Sequence, residues 1–352
     1  MTTLQQRVQS IMERDAAVHN QFEQTSAKVD LQMMEEVEAF PMDEEGRVMC
    51  ADEAHANYVA SLVDGFIEYD AAQHGGVPAS LVWGTFLVTV FPFMAGWPLR
   101  EMLIALVARC VHHRLAGNSR LDYVEYFCGC GNLSKVAIQA GLRGVSLDTV
   151  LNPAHDCLEK CGLRLWLLCL TATRRKALVW LGCPCSSFVL LCKSVSLRVL
   201  ENNYEGDETK FFVREGNCLG QVTALFLLLS WLLDCFPGLE QPLNSVLPWT
   251  RVMSAVLRYI QAYQTTTYHF AFGGPTLKPL QLWSCRRFMS RMSRPRPTGT
   301  YVSEDDELVQ RNSDGTFTGH KSRLVASQAY TLHFGRCVIA AVMEEWSAEA
   351  GA

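Results

Sequence analysis

Hydrophobic spacing changes period several times along this chain, and each change marks an element. Over 1–40 the apolar positions Leu4, Val8, Ile11, Val18 and Phe22 fall on one helical stripe. Pro41 and the acids Asp43, Glu44 and Glu45 interrupt it, so residues 1–70 read as an acidic helical arm, partly mobile. A partner-binding helix is the sharper alternative there. The stretch 75–99 holds twenty-five residues without an acid, lysine or arginine, long enough for a bilayer span. Pro92 and Pro98 break the run and Gly84 and Gly96 dilute it, which favours buried helices docked on the body. Membrane association through 75–99 is the alternative, and Arg100, Arg109 and Arg114 would then hold the C-terminal body on the cytoplasmic side. Residues 100–115 form an amphipathic helix whose basic last turn, with His112 and His113, reads as a solvated helix end.

From 118 onward strand and helix patterns alternate. Asp122 to Asp148 reads as a strand (Tyr123 to Phe127), a tight turn with Gly129 and Gly131, a helix (Leu133 to Ala140) and a second strand ending at Asp148. Asn152-Pro153 starts a helix toward Leu170. Ala177 to Gly182 is a continuous apolar run, as a buried parallel strand requires. A polar loop over 192–216 precedes an all-round apolar helix from Asn217 to Phe236, which Pro237-Gly238 ends, and Leu239 to Pro242 is a short strand end. Ser245 to Tyr263 is helical, Thr265 to Phe270 and Pro279 to Trp283 are strands, Arg286 to Pro297 is a basic loop, and Ala326 to Trp346 is a closing helix. The alternation predicts an α/β fold: a Rossmann-like, doubly wound, mostly parallel sheet with an N-terminal helical extension. Three parts follow: the arm 1–70, an apolar helical segment 71–117 and a Rossmann-like domain 118–348.

Composition refines this only slightly. With 352 residues, 49% apolar and 19% charged, the chain is globular rather than disordered. The net charge of −5 hides an asymmetry: residues 1–70 carry 15 acids and 4 bases, and the remainder 21 acids and 27 bases. A mildly basic body permits a polyanionic substrate. The 14 cysteines lie mostly within apolar runs of a large chain, and no secretory-signal pattern opens the sequence, so reduced thiols are expected. That places the chain inside the cell, in nucleus or cytoplasm. Cys128/Cys130 and Cys183/Cys185 have no histidine at ligand spacing, so no metal is expected.

The chemistry sits at strand ends. A glycine turn lets a ligand approach the backbone, and the following helix start offers free N–H groups. The third glycine of the dinucleotide fingerprint is replaced by Ser134, which argues against NAD and leaves room for another adenosine ligand. In order, these motifs resemble the DNA cytosine-5 methyltransferase family. Phe127-Cys128-Gly129-Cys130-Gly131 is similar to its opening Phe-x-Gly-x-Gly, and Gly182-Cys183-Pro184-Cys185-Ser186-Ser187-Phe188 to its Gly-x-Pro-Cys-x-x-Phe loop. Glu240-Gln241-Pro242 matches its Glu-Asn-Val in part. Phe272 to Lys278 resembles the start of a later motif, and Ser327 to Val338 the closing helix; the likeness covers about 120–345.

The resemblance implies an S-adenosylmethionine cradle made by Phe127 beside the adenine, Gly129, Gly131, Asn132, Leu133, Pro184, and Asp148 on the ribose. It implies Cys185 as nucleophile and Glu240 as the acid that orients the base. Ser186, Ser187, Lys278, Arg286 and Arg287 are the implied substrate contacts. The partner is then a nucleic acid, DNA before RNA. The residue types suit the reaction: thiolate addition at carbon 6 of cytosine makes carbon 5 nucleophilic, and a carboxyl on the ring N3 stabilises the developing charge. A base in duplex DNA would have to be flipped out. The rival readings are a methyltransferase for RNA or a small molecule, and a degenerate domain that binds nucleic acid or membrane without catalysis.

Overall fold

A computed structural model describes residues 121–189, 192–274, 276, 278–296, 309–311, 317–319 and 328–351. The arm 1–70, the apolar segment 71–117, Pro275 and Leu277 of the Phe272–Lys278 turn, and Ala326-Ser327 at the expected start of the closing helix lie outside the described residues.

Six strands form one mixed sheet. They are β1 (Leu121–Tyr126), β2 (Gly144–Leu147), β3 (Thr173–Leu181), β4 (Phe236–Pro242), β5 (Tyr263–Tyr268) and β6 (Pro279–Ser284), in the order β2-β1-β3-β4-β6-β5. The β1–β2, β1–β3 and β3–β4 ladders are parallel, whereas β6 runs antiparallel to both β4 and β5. The order reverses between β1 and β3, so the chain leaves these two strands in opposite directions at the carboxyl edge, the place where such sheets bind ligands. A small antiparallel pair, β7 (Val309–Arg311) and β8 (Phe317–Gly319), stands apart.

Helices cover both faces, which is why the central strands read as continuous apolar runs. Side chains alternate along β1 and β3. Val124, Tyr126, Val179 and Leu181 face a core shared with α2 (Lys160–Thr171), α3 (Phe211–Leu232) and α4 (Arg251–Tyr259). Tyr123, Leu178 and Trp180 face a second core with α1 (Asn132–Gln139) and α5 (Leu332–Ala350). On the first side Trp166 stacks on Tyr126 at 4.5 Å and meets Phe226 edge-on at 5.5 Å.

Several boundaries differ from the sequence expectation, each for a local reason. Pro237-Gly238 does not end a helix but lies inside β4. The Pro237 carbonyl takes the Ser284 hydroxyl at 2.6 Å, two residues before the β4–β6 ladder begins at Leu239, so the missing N–H breaks no ladder bond. Helix α3 begins at Phe211, inside the expected loop, because Asn217 and Val213 in its first turns wrap a buried arginine described below. Strand β3 starts four residues early, its three leading cations paired with Asp122, Asp234 and Glu349. The expected 152–170 helix is a short 3-10 turn (Pro153–His155) followed by α2. Gly162 sits so close to the Asp156 carbonyl that no Cβ would fit, which marks the tight break between them. Pro248 similarly divides 245–263 into a 3-10 turn and α4, and Tyr263 belongs to β5. The basic stretch after β6 is not an open loop; Arg287–Met292 is 3-10 helical and buries Phe288, Met289 and Met292. Among the described residues no helix is long and apolar enough to cross a membrane.

Candidate functional site

The turn after β1 departs from ordinary backbone at three alternate positions: Phe127, Gly129 and Gly131 have φ of 56°, 53° and 67°. For Phe127, a non-glycine residue, that conformation is strained, on the order of 1–3 kcal/mol. Its ring is held against Trp166 at 4.7 Å. A Cβ added to Gly129 or Gly131 would meet nothing within 4 Å, so glycine serves φ here and the space beside the turn is open. Asp148, one residue past β2, clamps this turn: the Gly129 N–H donates to Oδ2 and the Val150 N–H to Oδ1, each at 2.8 Å. Both oxygens keep lone pairs for further donors.

Helix α1 starts at Asn132 without a side-chain cap. Leu133 is sealed in the core, so only its backbone can face a ligand. The Asn132 amide donates to the Tyr330 carbonyl at 2.6 Å and its oxygen accepts from Lys135 at 3.0 Å. Beneath the turn, Glu125 is fully buried. Its Oε2 accepts from the Ser134 N–H at 3.0 Å and the Ser134 hydroxyl at 2.5 Å, while Oε1 has no hydrogen-bond partner among the described residues. Burial pushes the Glu125 carboxyl up to about 7, against the pull of the Ser134 bonds.

Strand β3 exits into Gly182-Cys183-Pro184-Cys185. A Cβ on Gly182 would lie 2.7 Å from the Tyr330 hydroxyl, so close approach demands glycine. Cys183 is core: burial pushes its thiol up to about 12, and its carbonyl accepts from the Gln241 amide at 2.6 Å. Pro184 and Ser186 are exposed and Cys185 is partly exposed. Burial also raises the Cys185 thiol; the Lys278 charge pulls it down and Glu240 pushes it up. Ser187 turns inward. Its carbonyl and hydroxyl take Arg198 Nε and Nη2 at 2.7 and 3.1 Å.

Arg198 itself is 2% exposed. It also donates to Asn217 Oδ1 and the Tyr204 carbonyl, both at 2.7 Å, and lies 4.1 Å over the Phe188 ring. Burial lowers the guanidinium to about 10. Ser187 and Asn217 are therefore ligands of this cation rather than groups open to a substrate. Sequence reasoning missed Arg198, because nothing in the spacing of a polar loop marks which cation will be buried.

Glu240, on β4, is 7% exposed. Its Oε2 accepts from the Tyr330 hydroxyl at 2.9 Å, and that hydroxyl accepts from Trp180 Nε1 at 3.2 Å. Glu240 Oε1 is buried without a hydrogen-bond partner among the described residues. Burial raises the carboxyl, with Lys278 and Tyr330 opposing. Gln241 staples β4 to the Cys183 carbonyl, its own oxygen held by Ser245 at 2.8 Å. Tyr330, too, escaped the sequence reading; it precedes the closing helix with no spacing signal.

The structure thus brings Phe127, Gly129, Gly131, Asn132, Asp148, Pro184, Cys185, Glu240 and Lys278 to one edge of the sheet. It does not bring Arg286 and Arg287 there. Arg286 pairs with Asp234 at 2.7 Å, just before β4, and lies 5.1 Å from the Phe236 ring centre, at the opposite edge. The described cysteines are free thiols, and among the described residues no cluster of acids, histidines and cysteines could hold a metal. No family model, curated protein or solved structure matches the chain.

Glu125 yields a direct test. A carboxyl raised from its ordinary 4.5 to about 7 favours the protonated folded state, so its contribution to stability is full below pH 4.5 and is lost as pH rises through 7. Glu125→Gln keeps an acceptor for Ser134 and cannot ionise. Urea unfolding across that window should show the variant gaining on the parent by up to about 3 kcal/mol. A difference that does not change with pH would contradict the buried, half-bonded acid.

Proposed function

We propose that the chain is a Rossmann-like, S-adenosylmethionine-dependent methyltransferase with a cytosine-5-type site acting on nucleic acid, DNA before RNA. The observation that carries this reading is that Cys185, Glu240 and Lys278 stand at the same edge of the sheet as the Gly129–Gly131 turn, where the strand order reverses between β1 and β3. Doubly wound sheets bind ligands at such a point. Cys185 as a residue is partly exposed, unlike the core cysteine Cys183.

The residues suit the cofactor. Open space beside Gly129 and Gly131, spare lone pairs on Asp148 and the first-turn N–H groups of α1 that Glu125 does not take could accept an adenosine ligand. S-adenosylmethionine held there would supply an electrophilic methyl group for carbon 5. The chain's own part is nucleophilic. The Cys185 thiolate forms the Sγ–C6 bond, and the electron pair of the C5=C6 bond makes carbon 5 nucleophilic. Glu240 Oε1, buried and without a hydrogen-bond partner among the described residues, is the atom available to the base edge, where the protonated carboxyl donates to N3. The methyl bond to carbon 5 would form as the donor's sulfur–methyl bond breaks and leaves a neutral thioether; loss of the carbon 5 proton to water then returns electrons to the ring and expels the Cys185 thiolate.

Lys278 has a defined role in this scheme: its ammonium offsets the desolvation that keeps Cys185 protonated. Two measurements follow. Cys185→Ala should bind S-adenosylmethionine in calorimetry within about threefold of the parent, yet lose methyl transfer by at least about a thousandfold, since the adjacent thiol, Cys183, is buried in the core. Assaying DNA, tRNA and small acceptors in parallel identifies the acceptor; transfer by Cys185→Ala at the parental rate would sink the nucleophile assignment. Lys278→Met should slow transfer about tenfold at neutral pH and recover part of the loss at higher pH, because the thiol then ionises later. A uniform loss at every pH would assign Lys278 to substrate binding instead.

A further inference from the structure

We propose that Tyr330 is the positioning residue that aims Glu240, and that it ties this aim to the turn at Gly131-Asn132. This inference rests on the functional reading above and gives a role to a residue that the motifs do not single out.

An indole N–H can only donate, so Trp180 Nε1 obliges the Tyr330 oxygen to accept at 3.2 Å. The hydroxyl proton is then directed to its other partner, Glu240 Oε2, at 2.9 Å. Burial and the neighbouring Glu240 carboxyl raise the Tyr330 hydroxyl well above its ordinary value, so the proton stays in place. Glu240 thereby has one oxygen committed and one, Oε1, left for a ligand. The chain Trp180–Tyr330–Glu240 fixes which oxygen is which.

Tyr330 is itself held from every side. Its carbonyl accepts from the Asn132 amide at 2.6 Å, at the first residue of α1. Its ring stacks on Phe334 at 4.9 Å, and its hydroxyl fills the space that a Gly182 side chain would take. On one flank Ala329 is bonded to His269 at 3.1 Å; on the other, Thr331 donates to the Phe272 carbonyl at 2.7 Å and caps α5 through the Phe334 N–H. One residue therefore spans the proposed cofactor turn, the β3 exit and the β4 acid. A ligand that shifts Asn132 shifts the Tyr330 backbone, and with it the donor that orients Glu240. The charged and titratable groups facing Glu240 are Lys278 before β6, Cys183 and Cys185 after β3, and Tyr330 before α5.

Tyr330→Phe keeps the ring and deletes only the hydroxyl. With its donor gone the Glu240 carboxyl titrates higher. The limb of the kcat–pH profile that disappears in Glu240→Gln should therefore move to higher pH in Tyr330→Phe. kcat should fall about tenfold while S-adenosylmethionine affinity changes less than about threefold. In the Glu240→Gln background, Tyr330→Phe should add less than about a further twofold, as expected of residues acting as a unit. Asn132→Ala, which leaves the hydroxyl in place, should move the same limb in the same direction by less. An unmoved limb, or losses that multiply in the double variant, overturns the assignment. If the parent transfers no methyl group to any acceptor, the proposed function fails instead. The Tyr330–Glu240 pair is then judged by urea unfolding of the same four proteins, where non-additive losses uphold the coupling and additive losses overturn it.

Discussion

Burying a carboxyl group costs free energy unless its oxygens are bonded, and this sheet buries two of them with one oxygen bonded in each. Glu125 gives Oε2 to Ser134 at the start of α1, and Glu240 gives Oε2 to Tyr330 before α5. In both the other oxygen is left without a partner among the described residues. The two acids lie on β1 and β4, on either side of β3, with the exit of β3 between them. Such groups are tolerated where a site needs them, because an oxygen already stripped of water binds an arriving donor strongly. The glycine turn, the strained Phe127 and the Cys185 loop are arranged around that edge.

Two supports hold the edge in shape. One is the relay from Trp180 through Tyr330, which passes directly over Gly182 and so fixes how closely the β1 and β3 exits approach. The other is Arg198. Five of its neighbours (Ser187, Tyr204, Glu205, Val213 and Asn217) supply acceptors, and the Phe188 ring lies against its face. A buried guanidinium with that many partners converts the long segment between Cys185 and α3 from a loose excursion into a packed cap. Gly216 permits it, since a Cβ there would fall 2.0 Å from the Ser187 hydroxyl oxygen.

How much of this could be read from residues alone depends on range. The β1–turn–α1–β2 unit was legible because its signals are local: alternation over Tyr123 to Tyr126, glycines at the two open positive-φ positions, an acid ending the next strand. The strand-end placement of Cys185 and Glu240 was legible for the same reason. Pro237-Gly238 misled because a proline in a central strand is tolerated only where the neighbouring ladder has not begun, a fact of pairing rather than of spacing. Tyr330 acts on residues far away in sequence, Arg198 gathers partners from the loops on both sides of it, and no periodicity marks either. Arg286 and Arg287 looked suited to phosphate, yet the reversal of β6 carries them to the far edge, where Asp234 pairs with the first. Chain direction, not composition, decided their place.

The central claim is that the Cys185 sulfur attacks a pyrimidine ring held against Glu240. Its most direct measurement is covalent trapping. The parent protein is incubated with S-adenosylmethionine and a panel of oligonucleotides carrying 5-fluorocytosine, in which the step that expels the thiolate is blocked for want of a proton. Intact-mass analysis and peptide mapping should find one adduct, on the peptide containing Cys185 and on its sulfur. Cofactor binding without any adduct across the panel, or an adduct on Cys183 instead, would contradict the account.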